Sequence, residues 1–181
     1  MRYAKIQAAG TALLLLSAPT AEAMFCLTAE AETFIDAPST IVFETIVDVA
    51  NYPLWNPFIL AVEPAGVDIT VIGAEFDLIV TGPRPGSTLR TPERTTFALP
   101  PLDAGSGGAI AYAYDAPTAP FLGNPTRVQV VTAIGTDQSF YQTAERFCGP
   151  AAQLSFLIAQ TGFDAQTEAL RLEAERRAAN P

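Results

Sequence analysis

The side chain best placed for acid–base chemistry is Glu93, in the predicted strand "RTPERTTFALP". If Phe97 faces the interior, the two-residue period of a strand turns Glu93 inward as well and leaves Arg90 and Arg94 on the outer face. A carboxyl group in an apolar cavity has a raised pKa, which suits a general acid or base. Alternatively, Glu93 lies at a solvated mouth or pairs with an arginine, since ion pairs also shift carboxyl pKa values. The sequence leaves both interpretations open.

Tyrosines on two later predicted strands form a second candidate group. Tyr112 and Tyr114 share one face of "AIAYAYD", and Tyr141 shares one face of "SFYQTAERF" with Glu145. Rings that carry a hydroxyl suit a cavity for an amphipathic ligand, and they suit an ordinary core equally well. If the protein is an enzyme, Glu93, Tyr112 and Tyr114 are the candidates for proton transfer.

The absence of histidine limits the chemistry more than any residue that is present. The chain has no histidine and two cysteines. This composition excludes Ser-His-Asp and Cys-His nucleophiles, the usual transition-metal ligand and a structural zinc site. We therefore expect no metal and no cofactor, and any catalysis would use carboxylates, tyrosines, arginines or backbone groups.

The first 23 residues have the pattern of a cleavable export signal. Arg2 and Lys5 precede the apolar run "AAGTALLLLSA", and "AEA" at 21–23 is an A-x-A cleavage site, which predicts a mature start at Met24. The apolar run is about half of the ~20 residues that a spanning helix needs. We therefore predict a periplasmic or secreted protein, with one domain over residues 24–181 and no stable membrane insertion after cleavage.

The charge of the mature chain restricts its partners. Without residues 1–23, which carry Arg2, Lys5 and Glu22, the chain has 8 basic and 18 acidic residues, a net charge of −10, and no lysine. Such a chain is repelled by phosphate backbones and by anionic membranes. We therefore expect no nucleic-acid partner. The sequence carries no indication of an oligomeric state.

The order of predicted elements is one strand, a short helix, six strands and one long helix. Short turn clusters join the last six strands, so neighbouring strands should run antiparallel in an α+β fold. The long helix runs from Gly149-Pro150 to about Arg177 and has two apolar stripes. Only one stripe can face the sheet, and the other should pack under loops, or meet a ligand or a second subunit.

Three segments of the sequence resemble the START-like SRPBCC superfamily, and in particular its polyketide cyclase/dehydrase-type branch. They are "DAPSTIVFETIVDVANYPLWNPFI", "ERFCG" and "GFDAQTEALRLEAER", and the most specific portion runs from Asp48 to Pro57. The resemblance covers nearly the whole mature chain. It implies a helix-grip fold, in which a seven-stranded antiparallel sheet wraps around the C-terminal helix and a hydrophobic cavity lies between them.

The resemblance implies a ligand cavity but does not determine the function, because the superfamily includes lipid carriers, cyclases and domains without known activity. Our first hypothesis is an exported binding protein for a small hydrophobic molecule such as a lipid, an isoprenoid or a polyketide-like compound. The second is a cyclase or dehydratase, and the third is a structural domain whose cavity is filled by its own side chains.

Aromatic and aliphatic side chains on separate strands are expected to converge on this cavity. The helix-grip fold also places the turn after the first helix at one end of the sheet. Trp55 should therefore be a structural plug there that also touches the ligand. The predicted ligand-binding residues are Trp55, Phe58, Phe76, Leu78, Phe97, Tyr112, Tyr114 and Tyr141.

The two cysteines are predicted to form a disulfide bond. An even cysteine count in an exported chain favours a bridge. The helix-grip topology pairs the first strand antiparallel with the last, and Cys26 opens the first strand while Cys148 closes the last. The alternation of both strands turns the two thiols to the same outer face. The alternative is two unpaired, buried cysteines.

Overall fold

The computed structural model of the protein describes residues 25–180. The predicted signal sequence at 1–23 and the predicted mature start at Met24 therefore lie outside the described residues. Within residues 25–180, no helix combines the length and the apolarity that crossing a membrane would require.

Seven strands form one antiparallel sheet in the spatial order β1-β7-β6-β5-β4-β3-β2. The strands are β1 (Cys26–Ile35), β2 (Ile59–Glu63), β3 (Glu75–Thr81), β4 (Thr88–Leu99), β5 (Gly108–Tyr114), β6 (Thr126–Ala133) and β7 (Ser139–Cys148). The sheet curls around a long helix, so the predicted α+β helix-grip class is confirmed.

The described part of the chain also contains three α-helices: α1 (Ser39–Val47), α2 (Tyr52–Trp55) and α3 (Ala152–Ala179). α1 begins directly after Pro38, whose missing N–H costs nothing at a helix start. Two prolines, Pro53 and Pro57, favour a turn around Trp55, but the structure has a short helix there. Pro53 lies in the first turn of α2, where proline is tolerated, and Trp55 is the last residue of that helix.

Only one of the two apolar stripes of α3 faces the sheet. Phe163 and Leu170 are fully buried, whereas Leu154, Leu157 and Leu172 are each more than half exposed. The stripe with the larger buried rings packs into the curled sheet because that face removes the most apolar surface from water. The other stripe remains on the surface.

The C-terminal half of α3, together with α1 and Tyr52, forms what we call the closed end of the interior. Arg177 of α3 donates to the Asp48 carboxylate after α1 at 2.9 Å. The Tyr52 ring is almost completely buried, and its hydroxyl donates to the carbonyl oxygen of Ile46. These contacts hold α1 against α3 and exclude water from this end.

Candidate functional site

The candidate site is a pocket between the inner face of the sheet and the N-terminal half of α3, which we call the α3 pocket. Its volume is about 250 Å³. Its apolar wall consists of Phe58, Leu78, Val80, Leu89, Leu122, Pro125, Phe147, Ile158, Ala159 and Phe163. Its polar wall consists of Arg90, Thr91, Glu93, Tyr112, Tyr114, Arg127, Glu145 and Ser155.

Half of the predicted ligand residues line this pocket. Phe58, Leu78, Tyr112 and Tyr114 are part of its wall. Phe58 lies so close to α3 that a Cβ on Gly162 would overlap its ring. The predicted catalytic candidate Glu93 lines the pocket beside them. Their role toward a ligand remains a prediction, but the structure brings these side chains together.

Three other predicted ligand residues face the interior without reaching the pocket. Trp55 is half-buried and packs edge-on against Tyr52 at 5.2 Å between ring centroids. Phe76 packs edge-on against Tyr112 at 5.5 Å, on the same face of the sheet, as expected. Tyr141 is completely buried, and its hydroxyl donates to the Gln129 side chain at 2.7 Å. These three side chains contribute to the core that surrounds the pocket.

The prediction that Phe97 faces the interior is wrong. Its side chain is 46% exposed. A β-bulge between Thr95 and Phe97 adds one residue to β4, so that Phe97 pairs with Ala111 of β5. The extra residue reverses the alternation, and Ala98 turns inward in place of Phe97.

Glu93 faces inward on the part of β4 that precedes the bulge. It is only 7% exposed, which contradicts a solvated mouth. It also takes no part in the ion pairs of residues 25–180. Arg90 pairs with Glu63 and Asp77 on the outer side, and Arg94 pairs with Asp115. The interpretation of Glu93 as an interior carboxyl group is therefore supported by its position.

A row of polar residues crosses the inner face of the sheet at the pocket. In register from β7 to β4, it contains Glu145, Arg127, Tyr112 and Thr95. Antiparallel pairing places such directly opposed side chains within contact distance of one another. Alternation in the sequence places Tyr112 and Glu145 on inward faces, but it does not identify Arg127.

Arg127 is the charged centre of this row and is 2% exposed. Its Nε donates to the Thr143 hydroxyl at 3.0 Å and its Nη2 donates to the Gln166 carbonyl oxygen at 2.9 Å. The guanidinium carbon lies 4.0 Å from the centre of the Phe163 ring, which is a cation–π contact. Helix α3 therefore helps to orient the guanidinium through both Gln166 and Phe163.

The two carboxyl groups of the pocket have raised pKa values. Burial raises the pKa of Glu145 to about 7, although the positive charge of Arg127 opposes this shift. Burial also raises the pKa of Glu93 well above its usual range, and the Glu145 carboxyl adds to the effect. A carboxyl group that titrates near neutral pH, as Glu145 does, can exchange protons with a bound molecule.

The tyrosine hydroxyls beside these carboxyls are linked through Gln129. Its amide nitrogen donates to the Tyr112 hydroxyl at 3.3 Å, and its carbonyl oxygen accepts from Tyr141. Burial raises the pKa of both tyrosines above the usual range. Both side chains therefore stay protonated at neutral pH, and Tyr112 is better suited to donate a hydrogen bond than to act as a base.

The disulfide bond supports the loop that closes one side of the pocket. Cys26 and Cys148 are bonded, as predicted, with an S–S distance of 2.09 Å. The loop between β5 and β6 supplies the wall residues Leu122 and Pro125. Between them lies Gly123, with φ of 75°, where a Cβ would come within 2.7 Å of the Cys148 Cβ. The bridge and the pocket wall are therefore in direct contact.

The exposed stripe of α3 borders a separate surface groove. Leu154 and Leu157 form it with Pro57 and Pro83, and its volume is about 520 Å³. No charged side chain lines this groove. Although the groove is larger, it lacks the carboxyl and guanidinium groups that line the α3 pocket. Residues 25–180 also contain no cluster of three acidic or cysteine side chains able to hold a metal ion.

Comparisons with known proteins identify the fold. No known family profile matches the sequence, and a search among curated proteins also found no match. The Zhui aromatase/cyclase from Streptomyces sp. R1128 is similar in structure, with a TM-score of 0.68 and 20% identity over 86% of this chain and 99% of that chain. Norcoclaurine synthase from Thalictrum flavum is also similar, with a TM-score of 0.63 and 10% identity over 85% of this chain and 97% of that chain.

A START superfamily protein from Mycobacterium smegmatis is also similar, with a TM-score of 0.59 and 14% identity over 83% of this chain and 98% of that chain. At these identities the likeness concerns the fold. The chain therefore has a START/SRPBCC-like helix-grip fold, with a pocket between the sheet and the C-terminal helix.

Proposed function

We propose that this protein is an exported binding protein for a small hydrophobic molecule, such as a lipid, an isoprenoid or a polyketide-like compound, held in the α3 pocket. The observation that carries the proposal is the pocket itself. Ten apolar and eight polar side chains line a space of about 250 Å³. This combination is typical of small-molecule sites, in which apolar burial supplies affinity and polar groups supply orientation.

The structural relatives are consistent with this proposal. One is named as an aromatase/cyclase, and norcoclaurine synthase has been solved with dopamine and hydroxybenzaldehyde. The same fold thus holds small organic molecules in at least one other protein. The open pocket also argues against the alternative of a domain whose interior is filled by its own side chains.

The export part of the proposal rests on the sequence of residues 1–23 and on the disulfide bond. Disulfides persist in oxidising compartments and are rare in reducing ones. Intact-mass analysis of the protein from separated cell fractions tests it directly. We expect a periplasmic or extracellular species that begins at Met24, and an unprocessed, cytosolic species would contradict export.

Organic extraction of the purified protein followed by mass spectrometry tests the binding function. We expect a co-purified hydrophobic molecule in the wild-type protein. Ala159→Leu should reduce its amount strongly, because Ala159 lines the pocket and the larger side chain fills it. Ala165→Leu is the matched control on the exposed side of the same helix and should retain the molecule. Equal retention in both variants would place the molecule elsewhere.

A second candidate function is a cyclase or dehydratase activity. The observation that favours it is the pair of pocket carboxyls, Glu93 and Glu145, with raised pKa values beside the Tyr112 hydroxyl. In this case Glu93 would transfer the proton, and Tyr112 would stabilise a developing negative charge on a substrate oxygen. A pH-dependent turnover that Glu93→Gln abolishes would establish this function, and bound molecule recovered unchanged would contradict it.

A further inference from the structure

Arg127 is a buried cation that forms no ion pair with any carboxylate of the described residues. None of the ion pairs within residues 25–180 includes it. Its hydrogen bonds go to neutral oxygens, among them those of Thr143 and Gln166. Removing a charge from water is costly, so buried cations are normally paired with an anion. The position therefore has an unmet requirement for negative charge.

The expected anionic partner of Arg127 is Glu145, but these two side chains do not form an ion pair. Glu145 stands directly opposite Arg127 on β7. The guanidinium is instead directed toward α3, where it lies over the Phe163 ring. The pKa of Glu145, raised by burial to about 7, leaves much of this carboxyl neutral at neutral pH. The pair thus does not cancel its charge internally.

Gln166 adds a second unused donor at the same place. Its carbonyl oxygen accepts from Arg127, which orients the amide, since the reverse orientation would oppose two donors. The amide nitrogen is then buried with no hydrogen-bond partner among the described residues. An unpaired buried donor is costly in the same way as an unpaired charge. Donors therefore exceed acceptors around the guanidinium.

We propose that the ligand of the α3 pocket is a carboxylic acid, whose carboxylate binds the Arg127 guanidinium while its apolar part lies against Phe58, Leu78 and Phe147. This inference rests on the proposed binding function and specifies the class of ligand. A carboxylate matches the fork of an arginine side chain. A single negative charge balances the one guanidinium of the pocket that makes no ion pair, whereas a dianionic phosphate would leave a second negative charge buried and unbalanced.

Pairs of probes that differ only in their head group test the proposal. Straight-chain alkanoates of six to twelve carbons and the alkan-1-ols of equal length are titrated into the full protein at pH 6 by isothermal calorimetry. At this pH the probe acids are ionised and Glu145 is largely protonated. We expect at least one alkanoate to bind about 10-fold or more tightly than its alcohol, as expected for charge-assisted hydrogen bonds.

Two variants locate the effect. Arg127→Met keeps an apolar stem over Phe163 and removes the charge, so it should abolish the preference for the acid while alcohol binding persists. Arg146→Met removes an exposed arginine of β7 and should leave the preference unchanged. The comparison of acid and alcohol in the wild-type protein needs no variant, so it remains decisive if Arg127→Met does not fold.

Each outcome has one meaning. An acid preference that is lost in Arg127→Met but kept in Arg146→Met supports the proposal. Equal binding of acid and alcohol overturns it and leaves the proposed binding function intact. An acid preference that survives in Arg127→Met also overturns it. Failure of every acid and every alcohol to bind also overturns the proposal, whereas the binding function is tested separately by the extraction experiment.

Discussion

The closed end of the interior and the α3 pocket both bury polar side chains, but they differ in how those side chains are paired. At the closed end, the hydroxyls of Tyr52, Ser39 and Ser139 each donate to backbone carbonyl oxygens nearby. In the pocket, Arg127 donates to the neutral side chains of Thr143 and Gln166, and within residues 25–180 it forms no ion pair with Glu145, which stands opposite. The closed end is built for stability, whereas the pocket retains a cost that a ligand can offset.

The largest expected effect follows from removing the disulfide at the pocket end. Cys26→Ala combined with Cys148→Ala should lower the free energy of unfolding by about 4–5 kcal/mol as an upper estimate, because the bridge closes a loop of more than a hundred residues. It should also weaken ligand retention, since Gly123 in the pocket loop rests on Cys148. Urea denaturation measures the first effect and extraction the second. The reduced wild-type protein should show the same losses as the double cysteine variant. An unchanged unfolding midpoint would contradict the prediction.

Truncation at the closed end should affect stability alone. Ile46→Ala removes a side chain that is 1% exposed and should cost about 2–5 kcal/mol of unfolding free energy through the cavity it leaves. The amount of bound molecule per folded protein should not change. Val128→Ala, on the outer face of β6, is the control and should cost within about 0.5 kcal/mol. Loss of ligand in Ile46→Ala would show that the two ends are not independent.

Raising the pH from 4.5 to 7.5 should lower the free energy of unfolding through the carboxyl groups of the pocket. Burial raises the pKa of Glu145 from 4.5 to about 7, so the folded state binds more protons than the unfolded state between these values. This stability is fully present below pH 4.5 and is lost as the pH rises through 7. The change is on the order of 1–3 kcal/mol, to which Glu93 contributes in the same direction.

Variants at Glu145 test this pH dependence. Glu145→Gln should flatten the slope of the urea midpoint against pH, because an amide does not titrate. Glu30→Gln, at an exposed position on β1, should leave the slope unchanged. A slope that is identical in the Glu145→Gln variant and the wild-type protein would mean that Glu145 is not the group responsible.

The smallest expected effects compare one polar group from each end. Tyr52→Phe leaves the Ile46 carbonyl without its donor and should cost about 1–3 kcal/mol. Arg127→Met removes an unpaired buried charge and should change the free energy of unfolding by less than about 1 kcal/mol, in either direction. Thermal or urea unfolding without added ligand measures both. A loss of several kcal/mol in Arg127→Met would mean that the arginine is a structural element.

Most of the fold could be predicted from local patterns. Alternation and turn residues predict the seven strands and the long helix, whereas the Cys26–Cys148 pairing follows from the topology that the family resemblance implies. The error at Phe97 has a local cause that the pattern does not reveal, because one extra residue in β4 reverses every side chain after it. The choice between the two stripes of α3 also required the packed sheet.

The site was less predictable, and β6 shows why. Val128 and Val130 are the apolar residues of this strand on one face, so hydrophobicity alone would turn them inward. The structure instead turns Arg127 and Gln129 inward and leaves Val128 40% exposed. The register with Tyr112 on β5 and Glu145 on β7 could have indicated this face, but that register is a long-range property.

The sequence by itself determined which side chains are available for chemistry, the excess of acidic over basic residues and the elements of the fold, since these depend on composition and on local periodicity. The tertiary structure alone decided which carboxyl groups lose water, which arginine is buried and which tyrosines share a hydrogen-bonded glutamine. Burial and charge–charge distances depend on residues far apart in the chain. The upward shifts in the pKa values of Glu93 and Glu145 are therefore properties of the folded protein.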